Sequence, residues 1–162
     1  MLTGDEIVLS TQTTFQKIRL PIKEYPKIDV SNRRQNRSVY GFLNVDNGVQ
    51  HAYKTMYQNS TNTCSVLDQL CQYYENKKII LVWDNASWHR SEAVRKWLSE
   101  TKHNIFLIAL PTYAPELNPQ EHVWKEGRSK VSHNKFIENI DKATDEFVDY
   151  LNKTLFRYSF LS

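Results

Sequence analysis

The run Ile79-Ile80-Leu81-Val82-Trp83 constrains the fold more than any other stretch of this chain. Five consecutive branched or aromatic apolar residues are too few for a core helix and suit a strand buried on both faces. A second such run, NIFLIAL (Asn104 to Leu110), follows after a segment from about Ser91 to Thr101 with helical spacing. Strand, helix, strand at this distance predicts a parallel crossover unit in a sheet flanked by helices. The first run ends abruptly in Asp84-Asn85. A carboxylate there needs a partner, a metal or a water-filled cleft, because burying it alone is costly. In open α/β sheets, ligands collect at the carboxyl ends of strands.

Strand signals precede this unit. Met1 to about Leu9 reads as a strand, and Phe15 to Leu20 as a weaker one broken at Pro21. Ser38 to Val45 and Val49 to Tyr57 flank Asp46-Asn47-Gly48, whose Asn-Gly step predicts a hairpin. Ser60 to Asn76 has Val66, Leu67, Leu70, Cys71 and Tyr74 at helical spacing. A helix is expected from Pro119 to about Lys130, and a last one over Phe136 to Phe156 within a C-terminal region 136–162. Antiparallel strands first and crossovers second imply an α/β fold, a mixed five-stranded sheet flanked by helices, which is the order of an RNase H-like fold.

The chain of 162 residues fits one domain. Its net charge of +3 is mildly basic, but Lys17 to Arg37 alone carries +5, a candidate phosphate-facing surface that includes Arg33, Arg34 and Arg37. Cys64 and Cys71, seven apart on one helix, would lie roughly 10 Å apart, too far for a disulfide. With no signal peptide and no apolar run of transmembrane length, the chain is expected to be intracellular, with no membrane partner.

Between Leu110 and Arg128 lies LPTYAPELNPQEHVWKEGR. Asn118 suits a helix N-cap, Pro119 the first helical position, and Glu121 the third, which predicts a capping box. A first-turn glutamate also faces the carboxyl edge of the sheet. Asp5, Asp84 and Glu121 are therefore candidates for one metal site, since hard cations take carboxylate oxygens. Asp29 and Asp46 are alternatives for the first acid. Asp29 lies in an irregular stretch and a turn explains Asp46, so Asp5 is preferred.

These residues resemble a known family. D-N-x-x-x-H after an apolar strand (Asp84, Asn85, His89), then Leu110-Pro111, Tyr113, Pro115, Leu117-Asn118-Pro119, Glu121 and Trp124, is similar to the catalytic domain of DDE transposases. The bacterial insertion-sequence branch of the mariner-like superfamily is the nearest in pattern, and the 36 residues between Asp84 and Glu121 suit it. Asp5-Glu6 resembles that family's Asp-Glu pair near the end of its first strand, with Glu6 on the opposite face from Asp5.

The resemblance implies two Mg²⁺ or Mn²⁺ ions held by Asp5, Asp84 and Glu121, with hydrolysis at transposon ends and strand transfer into target DNA. It implies double-stranded DNA as partner, a homodimer or larger assembly on DNA, and a cytoplasmic, nucleoid-associated location. Asn85 is expected to orient Asp84. For His89 a proton relay, a DNA contact and a purely structural role all stand. Arg128, seven residues after Glu121 on one helical face, is expected to contact DNA phosphate; Lys125 is a DNA contact or an exposed partner of Glu121. Trp83, Trp97 and Trp124 are expected in the core.

Full-length members carry helix-turn-helix domains ahead of the core. This stretch starts four residues before Asp5, so the expectation is that it lacks them and part of the first strand. Two other readings follow: a truncated, catalytically idle fragment that only binds DNA or a sister transposase, and another RNase H-fold nuclease.

Overall fold

The computed structural model describes residues 1–12, 27, 29, 32–111 and 115–160. Its strands are β1 (Leu2–Ser10), β2 (Asn36–Asn44), β3 (Gln50–Thr55), β4 (Ile79–Trp83) and β5 (Ile105–Ala109). Its helices are α1 (Ser60–Tyr73), α2 (Glu92–Glu100), α3 (Pro119–Val131) and α4 (Ile140–Lys153). The expected weak strand at Phe15 to Leu20 lies outside the described residues, as does Tyr113 of the proline-rich motif.

The five strands form one mixed sheet in the order β3-β2-β1-β4-β5, an RNase H-like arrangement. β1, β2 and β3 pair antiparallel, while β4 is parallel to both β1 and β5. The β2–β3 turn follows its Asn-Gly signal: Gly48 has φ +77°, and a Cβ there would lie 2.7 Å from the Phe156 carbonyl oxygen. Only glycine tolerates both conditions.

Alternation of side chains across the pleat divides the core into two layers. Ile7, Leu9, Val39, Leu43 and Ala52 face α3 and α4, where Val123, Trp124, Ile140, Phe147 and Leu151 meet them. Leu2, Tyr40, Phe42, Ile79, Leu81 and Trp83 face the other way, against Val66, Leu67, Leu70 and Cys71 of α1. Both cysteines are free thiols. Each helix starts at a residue whose side chain accepts an amide hydrogen bond of the first turn: Asn59, Ser91, Asn118 and Asn139. Among the described residues no helix is long and apolar enough to cross a membrane.

The last helix is shorter than its apolar pattern suggests. Asn139 caps it by accepting from the Lys142 amide, leaving Phe136 outside and half exposed. After Lys153 the chain turns extended: Leu155 bridges to Val49, and the Phe156 amide donates to the Gly48 carbonyl at 2.8 Å. Phe156 is buried, but as part of this bridge rather than of a helix.

Candidate functional site

The sheet itself brings two of the acids to one edge. β1 and β4 pair in parallel through Leu2↔Leu81 and Thr3↔Val82. Asp5 lies two residues beyond Thr3, and Asp84 two beyond Val82, so both follow the point where the pairing ends. Asp46 sits in the β2–β3 turn, beyond the opposite end of β1, and Asp29 is exposed.

Asp5 points to the α3 side. Its Oδ2 accepts from the Trp124 indole Nε1 at 2.9 Å and its Oδ1 from the Glu6 amide at 2.8 Å. Trp124 reaches it because the residue paired with Asp5 on β2 is Gly41. A Cβ on Gly41 would lie 2.3 Å from Trp124 Cη2 and 2.6 Å from the amide nitrogens of both Gln50 and Gln120. The tryptophan expected in the core is indeed buried, and it also donates to the site.

Asn118 docks the start of α3 onto β1. Its Oδ1 accepts from Thr3 Oγ1 at 2.6 Å and its Nδ2 donates to the Gly4 carbonyl at 3.2 Å. The same oxygen caps the Gln120 amide, not that of Glu121, and among the described residues the Glu121 carboxylate makes no return bond to Asn118. The expected capping box therefore does not form. Glu121 is exposed and lines a cleft of about 390 Å³ together with Asp5, Trp124, Lys125, Arg128 and His133.

Two acids in one cleft repel. Burial, then the Glu121 charge, pushes the Asp5 carboxyl up to about 7. Arg128 is half-buried, donates through Nη2 to the Val8 carbonyl at 3.3 Å, and has its guanidinium pulled down by burial against the favourable charge of Glu121.

Asp84 does not line that cleft. Its Oδ1 accepts from the Ala86 amide at 2.9 Å and lies 2.9 Å from His89 Nδ1. His89 Nε2 lies 2.6 Å from Glu6 Oε1, on the face of β1 opposite Asp5. Burial opposes charge on this ring, but the hydrogen bonds to Asp84 and Glu6 outweigh it and raise its pKa to about 9. The Asp84 carboxyl is held below its ordinary range by the His89 hydrogen bond, against burial. Asn85 donates to the Leu110 carbonyl at 2.9 Å, tying the loop after β4 to the end of β5.

The basic residues separate into different roles. Arg37 forms a bidentate pair with Asp141 of α4 at 2.7 and 2.6 Å, so it anchors a helix to the sheet. Arg34 is exposed, and the Arg33 carbonyl accepts from Thr11 Oγ1. Lys125 and Arg128 are the two that border the cleft with Glu121. Glu6 and Gly41 had no role assigned from sequence. A lone glycine inside the bulky strand SVYGFLNV was the available signal for Gly41, since strand glycines mark close approach.

Residues 1–144 match the family described as DDE superfamily endonuclease. The chain belongs to that family. Solved structures of Mos1 transposase share its fold. The Mos1 mariner paired-end complex with Mg superposes with a TM-score of 0.72 at 14% identity, over 99% of this chain and 50% of that one. The Mos1 catalytic domain gives 0.63 at 14% identity, over 94% and 70%. An uncharacterized protein, y4pE/y4sA of Sinorhizobium fredii (strain NBRC 101917 / NGR234), is 34% identical over 62 residues, 38% of this chain and 42% of that protein. The chain thus spans about half the length of the Mos1 transposase in that paired-end complex, and its match covers less than half of the rhizobial relative.

Asp5 and His89 make the metal-free protein sensitive to alkali in the same direction. A carboxyl raised to about 7 binds its proton more tightly when folded, so stability falls as pH rises from about 4 to 7. A histidine raised to about 9 contributes stability that is complete below about 6.5 and lost as pH rises through 9. Denaturant unfolding in EDTA should therefore show a lower free energy at pH 9 than at pH 6, and Asp5→Asn should flatten the acidic part of that decline. A stability that rises between pH 6 and 9 would refute the assignment.

Proposed function

We propose that this chain is the catalytic domain of a DNA transposase that hydrolyses phosphodiesters at transposon ends and joins the freed 3′ ends to target DNA. Asp5 and Glu121 in one cleft, with Asp84 at the matching position of the neighbouring parallel strand, is the observation that carries this reading. Family membership and the likeness to Mos1 complexes support it.

The donor chemistry suits hard divalent cations: Asp5 and Glu121 share the cleft and repel each other in a way a cation would relieve, while Asp84 lies outside that cleft on the neighbouring strand, against His89. Asp5, Asp84 and Glu121 would hold two Mg²⁺ or Mn²⁺ ions. When bound, such ions activate the attacking oxygen and stabilise the leaving oxygen of a phosphodiester displacement. Mos1 structures described as containing Mn and Mg support the choice.

The protein's own contributions are positional. Trp124 fixes one oxygen of Asp5 and the Glu6 amide the other, so the carboxylate has one orientation. Asn118 sets the first turn of α3 against β1 and keeps Glu121 beside Asp5. Lys125 and Arg128 border the cleft and offer positive charge to a DNA backbone passing over it. Action as a dimer or larger assembly on paired transposon ends is part of the proposal, by analogy with the paired-end complexes of Mos1.

The test is nicking of supercoiled plasmid by the purified chain with Mg²⁺, with Mn²⁺ and with EDTA. Cleavage in the metal lanes alone supports the reading. Preferential cleavage of an RNA–DNA hybrid would move it to another nuclease of this fold. Duplex binding that persists without any metal-dependent cleavage would leave an idle binding fragment. Binding should be steeply salt-dependent, and Arg128→Gln should reduce the log–log salt slope by about 1 for its one phosphate contact. An unchanged slope would remove Arg128 from the DNA surface.

A further inference from the structure

We infer that Glu6 and His89 form a positioning pair that fixes the carboxylate of Asp84 from the side of the sheet opposite Asp5. The inference rests on the reading of Asp84 as a metal ligand. His89 lies parallel on Trp83 with ring centroids 3.8 Å apart and planes 5° apart, and Trp88 closes against its edge at 5.9 Å. Held in this slot, the ring cannot turn. Nε2 meets Glu6 Oε1 at 2.6 Å, and Nδ1 meets Asp84 Oδ1 at 2.9 Å.

Both nitrogens face carboxylate oxygens, so both donate. The ring then has no lone pair to give a metal, although Glu6, Asp84 and His89 converge within 4.8 Å. The cluster is a proton-bridged network rather than a cation site. The buried side chains of His89 and Glu6 are 1% and 4% exposed, whereas Asp84 is 49% exposed. Desolvation takes back part of the attraction of an ion pair buried this deeply. The pair's effect is orientation. Asp84 Oδ1 is engaged twice, by His89 and by the Ala86 amide, and among the described residues Oδ2 has no partner. Partners of a ligand in the next shell commonly change metal affinity by about 10–100-fold.

The experiment measures Mn²⁺ binding calorimetrically on DNA-free protein, and the Mn²⁺ dependence of nicking. It compares wild type with Glu6→Ala, Glu6→Gln, His89→Ala, Glu6→Ala/His89→Ala and Asp84→Asn, each checked for folding by thermal melt. Glu6→Ala and His89→Ala should each weaken Mn²⁺ binding about tenfold or more, with the double variant little worse than either single one. Nicking should recover much of its rate at saturating Mn²⁺. Glu6→Gln keeps an acceptor for Nε2 and should fall between wild type and Glu6→Ala. A general loss of folded protein would lower the rate without moving the half-saturating Mn²⁺ concentration. If His89→Ala does not fold, the two Glu6 variants decide.

Folded Glu6 variants with Mn²⁺ affinity within twofold of wild type would overturn the inference. Histidine nitrogen coupling in the spectrum of bound Mn²⁺ would overturn it too, by placing metal on the ring. If Asp84→Asn also binds Mn²⁺ like wild type, the failure lies in the metal-site reading itself.

Discussion

Asp5→Asn is expected to lower divalent-metal-dependent nicking by about a thousandfold or more, and Asp84→Asn by about as much. On the proposed mechanism each removes a charged oxygen donor from a site that uses all three acids as one unit, so the double variant should be scarcely worse than either single one. The two differ in what they do to the fold. Asn at position 5 no longer carries a buried charge that repels Glu121, but its single oxygen keeps only one of the two bonds, to the Trp124 indole or to the Glu6 amide. Relief of the buried charge outweighs the lost hydrogen bond, so metal-free Asp5→Asn protein at pH 8 should be more stable than wild type by about 1 kcal/mol, once that bond and the partial solvent access of the group are allowed for. Activity and stability moving in opposite directions is the mark of a ligand. Plasmid nicking and denaturant unfolding on the same preparations check both. Full activity in Asp5→Asn, with loss in Asp29→Asn or Asp46→Asn, would assign the first acid elsewhere.

Gly41→Val should destabilise the protein by about 3 kcal/mol or more, and Gly41→Ala by a smaller amount of about 1–3 kcal/mol. The space for a Cβ is already filled, with Trp124 at 2.3 Å and two glutamine side chains at 2.6 Å. The neighbours cannot yield easily. Trp124 is buried beside Phe147, with ring centroids 6.2 Å apart, and its indole is committed to Asp5. Displacing it moves α3, and Glu121 with it, away from β1. Gly41→Val should thus show a melting temperature lower by about 6–12 °C, with loss of nicking even where the variant remains folded. A melting temperature within 2 °C of wild type would mean that α3 does not press on β2 as closely as these contacts require.

The element order was legible because its signals are local. Ile79–Trp83 is β4 residue for residue, Asn47-Gly48 turns where expected, and Pro119 opens a helix behind Asn118. Apolar runs, caps and turn residues act over a few neighbours, so the chain states them directly. The last helix is shorter at both ends than its apolar period, for the same reason. Phe136 and Leu155 fit the apolar period, but the Asn139 cap and the pairing of Leu155 with Val49 decide where helix gives way. The Leu155 contact with Val49 spans 106 positions, and no local pattern reports it.

The family, the mixed sheet with its helices and the acids that are candidates for chemistry can all be read from local pattern. Periodicity and the spaced motif around Asp84 and Glu121 suffice for that. How those acids are held depends on contacts between distant positions. Trp124 reaches Asp5 across 119 positions, Asn118 reaches Thr3 across 115, and His89 reaches Glu6 across 83. These contacts depend on which strands lie side by side and which face of each strand a helix covers. The pleat sends Asp5 to the α3 side and Glu6 to the other, so adjacent residues enter different networks. Arg37 shows the same division: its charge is plain in the sequence, but its pairing with Asp141 follows from the packing of α4 against the sheet.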